Sequence, residues 1–265
     1  MQLTTDALVL KEISISDTDK LITVLTPSSG KIAVMVKGGY SLNNKYTSLS
    51  QPYTYLNLEL YERNGYYWLR GGSVLEPFFG IRNDLNKLSL AAYISDIANE
   101  LTGENTPSVD ILRMTLNTFY ALCNTDKPLQ IIKGTYELRA AGFSGFMPRV
   151  EGCCYCKTTS CDFYYLDVMN GRIICDSCMK SRTNNIKIKY NPDIEYSEER
   201  SVLCPISASV AAAVNYALHA LPERMFSFSL CDSEELSSFE RTAEIYLLSH
   251  IEHSFASLDF YKSLK

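Results

Sequence analysis

Hydrophobic and polar positions change period near residue 80. Before it, short runs rich in β-branched residues alternate with turn signals, which predicts strands over residues 7–15, 21–26 and 31–37. Pro27-Ser28-Ser29-Gly30 predicts a hairpin between the last two. A second pair is predicted over 53–62 and 66–70, joined by Asn64-Gly65, a dipeptide suited to the positive φ angles of a tight turn. Within 53–62, Leu56, Leu58 and Leu60 occupy one face, and Tyr53, Tyr55, Asn57, Glu59 and Tyr61 the other. Five strands in so short a span predict a small barrel.

Beyond Pro77 the period becomes helical. Leu90, Ile94, Ile97 and Leu101 form a stripe within residues 84–102, with Asp84 as N-cap. Further helices are predicted over 108–123, 129–141, 207–221 and 233–258, with Gly142 ending the third of these five helices. Residues 148–190 interrupt the helices with a cysteine-rich insert of short β-like runs.

The chain has 265 residues, 46% hydrophobic and 21% charged, which excludes a disordered or low-complexity protein. No run of about 20 apolar residues is present, so no membrane span is expected. Asp6 and Lys11 interrupt any N-terminal apolar segment, so a cytoplasmic location with reduced thiols is expected. The net charge of −5 is unevenly spread: residues 149–190 hold seven basic and four acidic side chains, whereas 191–265 hold five and twelve. The acidic C-terminal quarter should face water or a protein, which leaves the remainder able to approach phosphate.

Six of the nine cysteines fall between positions 153 and 178. Cys153-x2-Cys156 and Cys175-x2-Cys178 have the spacing of a four-cysteine zinc site, in which two knuckles complete one tetrahedron. Disulfides suit an oxidising compartment, and a catalytic zinc needs an open position that four thiolates close. Structural Zn2+ is therefore the expected cofactor, with Cys154 and Cys161 as spare thiols. Cys123, Cys204 and Cys231 are expected to be small core side chains.

Ala7-Leu8-Val9-Leu10-Lys11, Ser16-Asp17-Thr18-Asp19-Lys20-Leu21, Thr26-Pro27-Ser28-Ser29-Gly30-Lys31 and Val36-Lys37-Gly38-Gly39 occur in an order that resembles the RecO family of bacterial DNA repair proteins. Leu138-Arg139-Ala140-Ala141-Gly142, Pro148 and Asn170-Gly171-Arg172-Ile173-Ile174-Cys175 continue the resemblance into the insert. It implies an α+β multidomain fold: an N-terminal OB-fold β-barrel (1–80), a helical domain (81–148 and 191–265) and an inserted four-cysteine zinc module (149–190). It further implies a recombination mediator that binds single- and double-stranded DNA, anneals strands, and with RecR assists RecA against single-stranded DNA-binding protein. No covalent chemistry is implied. The segment from Gly38 to Lys45 is less basic than is usual in the family.

Two cationic sets are candidates for DNA. Lys31, Lys37 and Lys45, with Tyr40 among them, combine charge with a π face; the alternative is a solvated edge. Arg149, Arg172 and Lys180, with Lys157, Arg182, Lys187 and Lys189, either extend the DNA path or offset thiolate charge, and neither role excludes the other. Tyr53, Tyr55 and Tyr61 are expected at an interface. Enzyme motifs fail: Leu25 and Ile32 replace the Gly and Ser/Thr that a P-loop ending Ser29-Gly30-Lys31 would need, and His250 and His253 are at i, i+3. A zinc-stabilised interaction scaffold with little DNA affinity is the alternative function.

Overall fold

The computed structural model describes residues 2–40, 46–181, 202–251 and 253–264. These form two compact units, one of residues 1–129 with 254–265 and one of residues 130–253.

The first unit begins with a closed barrel of strands β1 (Gln2–Ser14), β2 (Lys20–Thr26), β3 (Gly30–Val36), β4 (Tyr55–Arg63) and β5 (Tyr66–Glu76), in the order β1-β2-β3-β5-β4. All neighbours are antiparallel except β3 and β5, which pair parallel through Val34↔Tyr67 and Met35↔Trp68. Strand β1 starts earlier than predicted because it serves two neighbours: Gln2–Leu8 pair with β4, and Leu8–Ser14 with β2. The register shift between Val9 and Lys11 lets one strand turn the corner. Val9, Val24, Val34, Leu56, Leu58, Leu60 and Leu69 fill the interior, so the predicted leucine alternation holds.

Leu8, Leu10 and Leu25 are also buried, although their positions alternate with the interior set. Helices cover that side of the barrel. After the short α1 (Phe79–Arg82), α2 (Leu85–Leu101) packs on β1, and α3 (Val109–Asn124) on β2. Asp84 caps α2 as predicted, accepting from the N–H groups of Asn86 (2.8 Å) and Lys87 (3.1 Å). The β2–β3 turn is tied to the α2–α3 loop: Lys31 N–H donates to the Gly103 carbonyl (3.2 Å) and Asn105 N–H to that of Ser29 (2.9 Å). Gly30 has φ +63°, and a Cβ there would collide with the Gly103 carbonyl oxygen.

The second unit contains α4 (Leu129–Phe143), a three-stranded antiparallel sheet in the order β7-β6-β8 and two further long helices. Its strands are β6 (Phe163–Asp167), β7 (Arg172–Cys175) and β8 (Leu203–Ser207). A helical stretch, α5, follows β7 over residues 176–181; α6 (Ala208–His219) and α7 (Ser233–Ile251) follow β8. Helix α4 is buried on most of its surface. It carries Lys133, whose Nζ lies 2.8 Å from both Glu137 and Glu244. Burial works against the Lys133 charge, but the two carboxylates raise its pKa.

Three expectations are corrected. The helix predicted over 233–258 is two: α7 ends at Ile251 and α8 starts at Ala256 (Ala256–Ser263). In α8, Leu258 and Tyr261, with Phe255 just before it, are buried in the first unit, where Phe255 meets Tyr93 edge-on at 5.5 Å. Helix α4 passes Gly142 and runs to Phe143, and Gly145 supplies the left-handed residue beyond it at φ +89°. Cys231 is exposed rather than a core side chain, whereas Cys204 is buried and Cys123 half-buried.

Candidate metal centre and cationic surfaces

Two local structures bring the cysteine pairs together. In the first, the turn after Val150 places Cys153 N–H on the Thr158 carbonyl (2.9 Å) and Lys157 N–H on the Cys153 carbonyl (2.9 Å), with Lys157 at φ +61°. In the second, β7 ends at Cys175 and α5 carries Cys178 one turn on. The Sγ atoms of Cys153, Cys156, Cys175 and Cys178 all lie within 4.8 Å of one another. A ZnS4 tetrahedron with bonds of 2.3 Å has sulfur–sulfur edges of about 3.8 Å. Cys156 and Cys175 are 3.6 Å apart, so the cluster has the dimensions of a zinc site.

The electrostatics favour thiolate at the cluster's buried end. Burial opposes charge on Cys153, but hydrogen bonds, first from the Cys175 backbone N–H (3.4 Å) and then from Cys156, lower its pKa to about 7. Hydrogen bonding with Cys175 and then Cys156 pushes Cys178 up to about 12. Thiols that converge on one point resist joint ionisation until a cation supplies the compensating charge. Cys154 and Cys161 stand outside the four-thiol cluster. Four sulfurs, two knuckles and no fifth ligand among the described residues suit a closed, structural ion.

A cleft of about 760 Å³ adjoins the first knuckle, lined by Arg149, Arg172, Lys157, Phe146, Met147 and His250 among others. Arg149 N–H donates to the Gly171 carbonyl (2.8 Å), which draws the two arginines to one rim. Arg172 pairs with Asp167 at 3.5 Å and lies over the Tyr155 ring at 5.7 Å. Gly171, at φ +56°, is fixed by space as well: a Cβ would come 2.7 Å from the Tyr246 hydroxyl. Lys180, on α5, is exposed and pairs with Asp176 at 2.5 Å. Arg182, Lys187 and Lys189 lie outside the described residues.

The barrel candidates are more dispersed. Lys31 Nζ donates to the Asn99 carbonyl (2.8 Å) in the last turn of α2, where a cation also meets the negative end of the helix dipole. Lys37 is exposed just past β3, and Lys45 lies outside the described residues. Tyr40 is exposed, and Lys20 Nζ stands 5.2 Å from its ring centroid while pairing with Glu12 at 2.6 Å. Of the three tyrosines expected at an interface, Tyr53 packs edge-on to Phe119 of α3 at 5.7 Å, and Tyr55 reaches Asp6 at 3.5 Å. Tyr61 instead stacks on Trp68 (centroids 6.3 Å apart, planes 17°) and keeps 37% of its surface exposed. Trp68, Arg63 and Arg70 were not singled out from sequence; counting outward positions across the hairpin from Tyr61 could have found them.

A five-stranded barrel with a parallel β3–β5 closure, followed by helices and a four-thiol cluster, defines an OB-like protein with a candidate metal site. The family model described as Recombination protein O N terminal matches residues 1–78, and Recombination protein O C terminal matches residues 82–191. This chain belongs to the RecO family of DNA repair proteins. A DNA repair protein RecO from Acetivibrio thermocellus is 29% identical over 263 residues, spanning 99% of this chain and 97% of that protein. One from Thermoanaerobacter sp. is 24% identical over 265 residues (99% and 98%), and one from Bacillus subtilis 27% over 184 residues (69% and 71%). No helix among the described residues is long and apolar enough to cross a membrane.

Proposed function

We propose that this protein is a recombination mediator: it binds single- and double-stranded DNA, anneals complementary strands, and with RecR assists RecA in displacing single-stranded DNA-binding protein. It works in the cytoplasm on nucleoid DNA, by holding strands and partners together without making or breaking covalent bonds. The observation that carries the reading is the family match over residues 1–78 and 82–191, coincident with a closed barrel and a four-thiol cluster. Zn2+ held by Cys153, Cys156, Cys175 and Cys178 serves the fold. Its site sets a formal charge of −2 close to Arg149 and Arg172, so those side chains both offset the thiolates and meet phosphate.

On the barrel, Lys37, Lys45 and Tyr40 are the proposed DNA contacts, while Lys31 serves the fold first through its bond to Asn99. The internal pairings of Lys31 and Lys180 favour the second reading, a zinc-stabilised interaction scaffold with little DNA affinity. Fluorescence anisotropy with a labelled oligonucleotide over a salt series separates the two. A mediator loses affinity log-linearly with salt, with a slope near −0.7 per phosphate contact for a single strand. A flat, weak response identifies the scaffold.

A further inference from the structure

The outer face of the β4–β5 hairpin carries an aromatic and cationic surface that neither the zinc cluster nor the β2–β3 turn uses. Side chains alternate along β4, so Tyr61 and Arg63 point away from the core that Leu58 and Leu60 fill. Trp68 lies directly across from Tyr61 and Tyr66 across from Arg63, and the Tyr61–Trp68 rings stack. On the other side of Trp68 the parallel partner is Met35, two residues before exposed Lys37. Arg70 is the extra residue of a bulge, since Glu59 pairs with Gly71 and Leu60 with Leu69. Its carbonyl accepts from the Tyr46 hydroxyl (2.7 Å), and its side chain is exposed. Bulges of this kind re-aim a side chain at the rim of a barrel.

Tyr66 is 66% exposed and Tyr61 37%, in contrast to Tyr53 on the same hairpin's approach, which Phe119 covers. Three cations, Lys37, Arg63 and Arg70, accompany the rings, with two exposed acids, Glu59 and Glu62, on the same strand as Tyr61. Planar faces interleaved with cations match a polyanion whose bases are unpaired. A duplex hides its base faces in its own stack and gains little from such a surface.

We propose that Tyr61, Trp68 and Tyr66 form a stacking platform for the bases of single-stranded DNA, flanked by Arg63, Arg70 and Lys37 as phosphate contacts. The proposal rests on the DNA-binding reading above and assigns it a single-strand-selective surface. The pre-stacked Tyr61–Trp68 pair is held by strand pairing on both sides, so little side-chain entropy is lost when a base adds to it.

Trp68 is the single tryptophan of the chain, so its emission reports on this face alone. The test titrates the full chain with unlabelled oligothymidylate and with a duplex of equal length, following Trp68 emission beside the anisotropy of a labelled oligonucleotide. Single-stranded DNA should quench Trp68 in step with binding, and the duplex should leave its emission nearly unchanged. Tyr61→Ala and Tyr66→Ala should each weaken single-strand binding about tenfold, within the range of one lost base stack, with duplex affinity retained. Trp68→Ala should lose single-strand affinity to a similar extent, and an unchanged far-ultraviolet circular dichroism spectrum in each variant controls for folding. Salt-dependent single-strand binding with unaltered Trp68 emission and parental affinity in both tyrosine variants overturns the platform while leaving the function standing. No DNA binding by the parent chain overturns both.

Discussion

The barrel and the thiol module both hold short strands together, but they distribute the work differently. In the barrel, buried side chains from all five strands share one interior, and each strand has two neighbours. In the module, strands of four and five residues form a three-stranded sheet that packs on α6 and α7, and the end of β7 is fastened by four sulfur atoms. Strands this short contribute few ladder bonds, so a bound ion would carry a large share of the module's stability. Damage to the barrel should therefore be graded, because one interior side chain is one contribution among many. Damage to the module should be closer to all-or-none.

The largest expected effect follows from removing the metal. Structural zinc sites contribute on the order of 10–16 kcal/mol of apparent binding energy at neutral pH. Chelation, or Cys175→Ser, should abolish amide protection in β6 and β7 while leaving β1–β5 protected in hydrogen exchange. Equal loss in both regions would erase the contrast, and elemental analysis before and after must show the ion leaving. Because the sulfurs bind as thiolates, apparent metal affinity should fall as pH falls. Next is Lys133→Ala, which strands two carboxylates in the second unit and should cost about 3–5 kcal/mol in urea denaturation. Replacing Lys133, Glu137 and Glu244 together by apolar residues of similar size should recover most of that loss.

Leu58→Ala should cost about 2–5 kcal/mol through the cavity it leaves, with metal content unchanged. A loss of metal in that variant would mean that the two regions are energetically one. The smallest effect is Asp84→Ala, which removes the cap of α2 and should lower stability by about 1 kcal/mol. Calorimetry that places this loss in the same transition as β6–β7 would again count against separate responses.

How far sequence reached follows the same contrast. The barrel strands were legible because Leu56, Leu58 and Leu60 alternate and because Asn64-Gly65 and Pro27–Gly30 mark the turns. The cysteine set was legible because two CxxC pairs constrain geometry across 18 intervening residues. Proximity in three dimensions was not legible. Lys133 and Glu244 are 111 positions apart, and nothing local marks either as buried. Lys31 reads as an available cation until the Asn99 carbonyl appears beside it. The break between α7 and α8 was missed because Phe255, Leu258 and Tyr261 continue a helix-like period, although they are buried in the first unit and α7 in the second. Trp68 passed unnoticed because its significance depends on the strand beside it.

The return of α8 sets an order of assembly. Phe255, Leu258 and Tyr261 complete a core begun by Tyr93 and α2, and Ser257 Oγ donates to Asp96 at 2.6 Å. Residues 1–129 thus receive a buried layer from a segment synthesised only after residues 130–253. A nonsense codon at residue 254 would leave residues 130–253 whole and strip the barrel-bearing unit of α8.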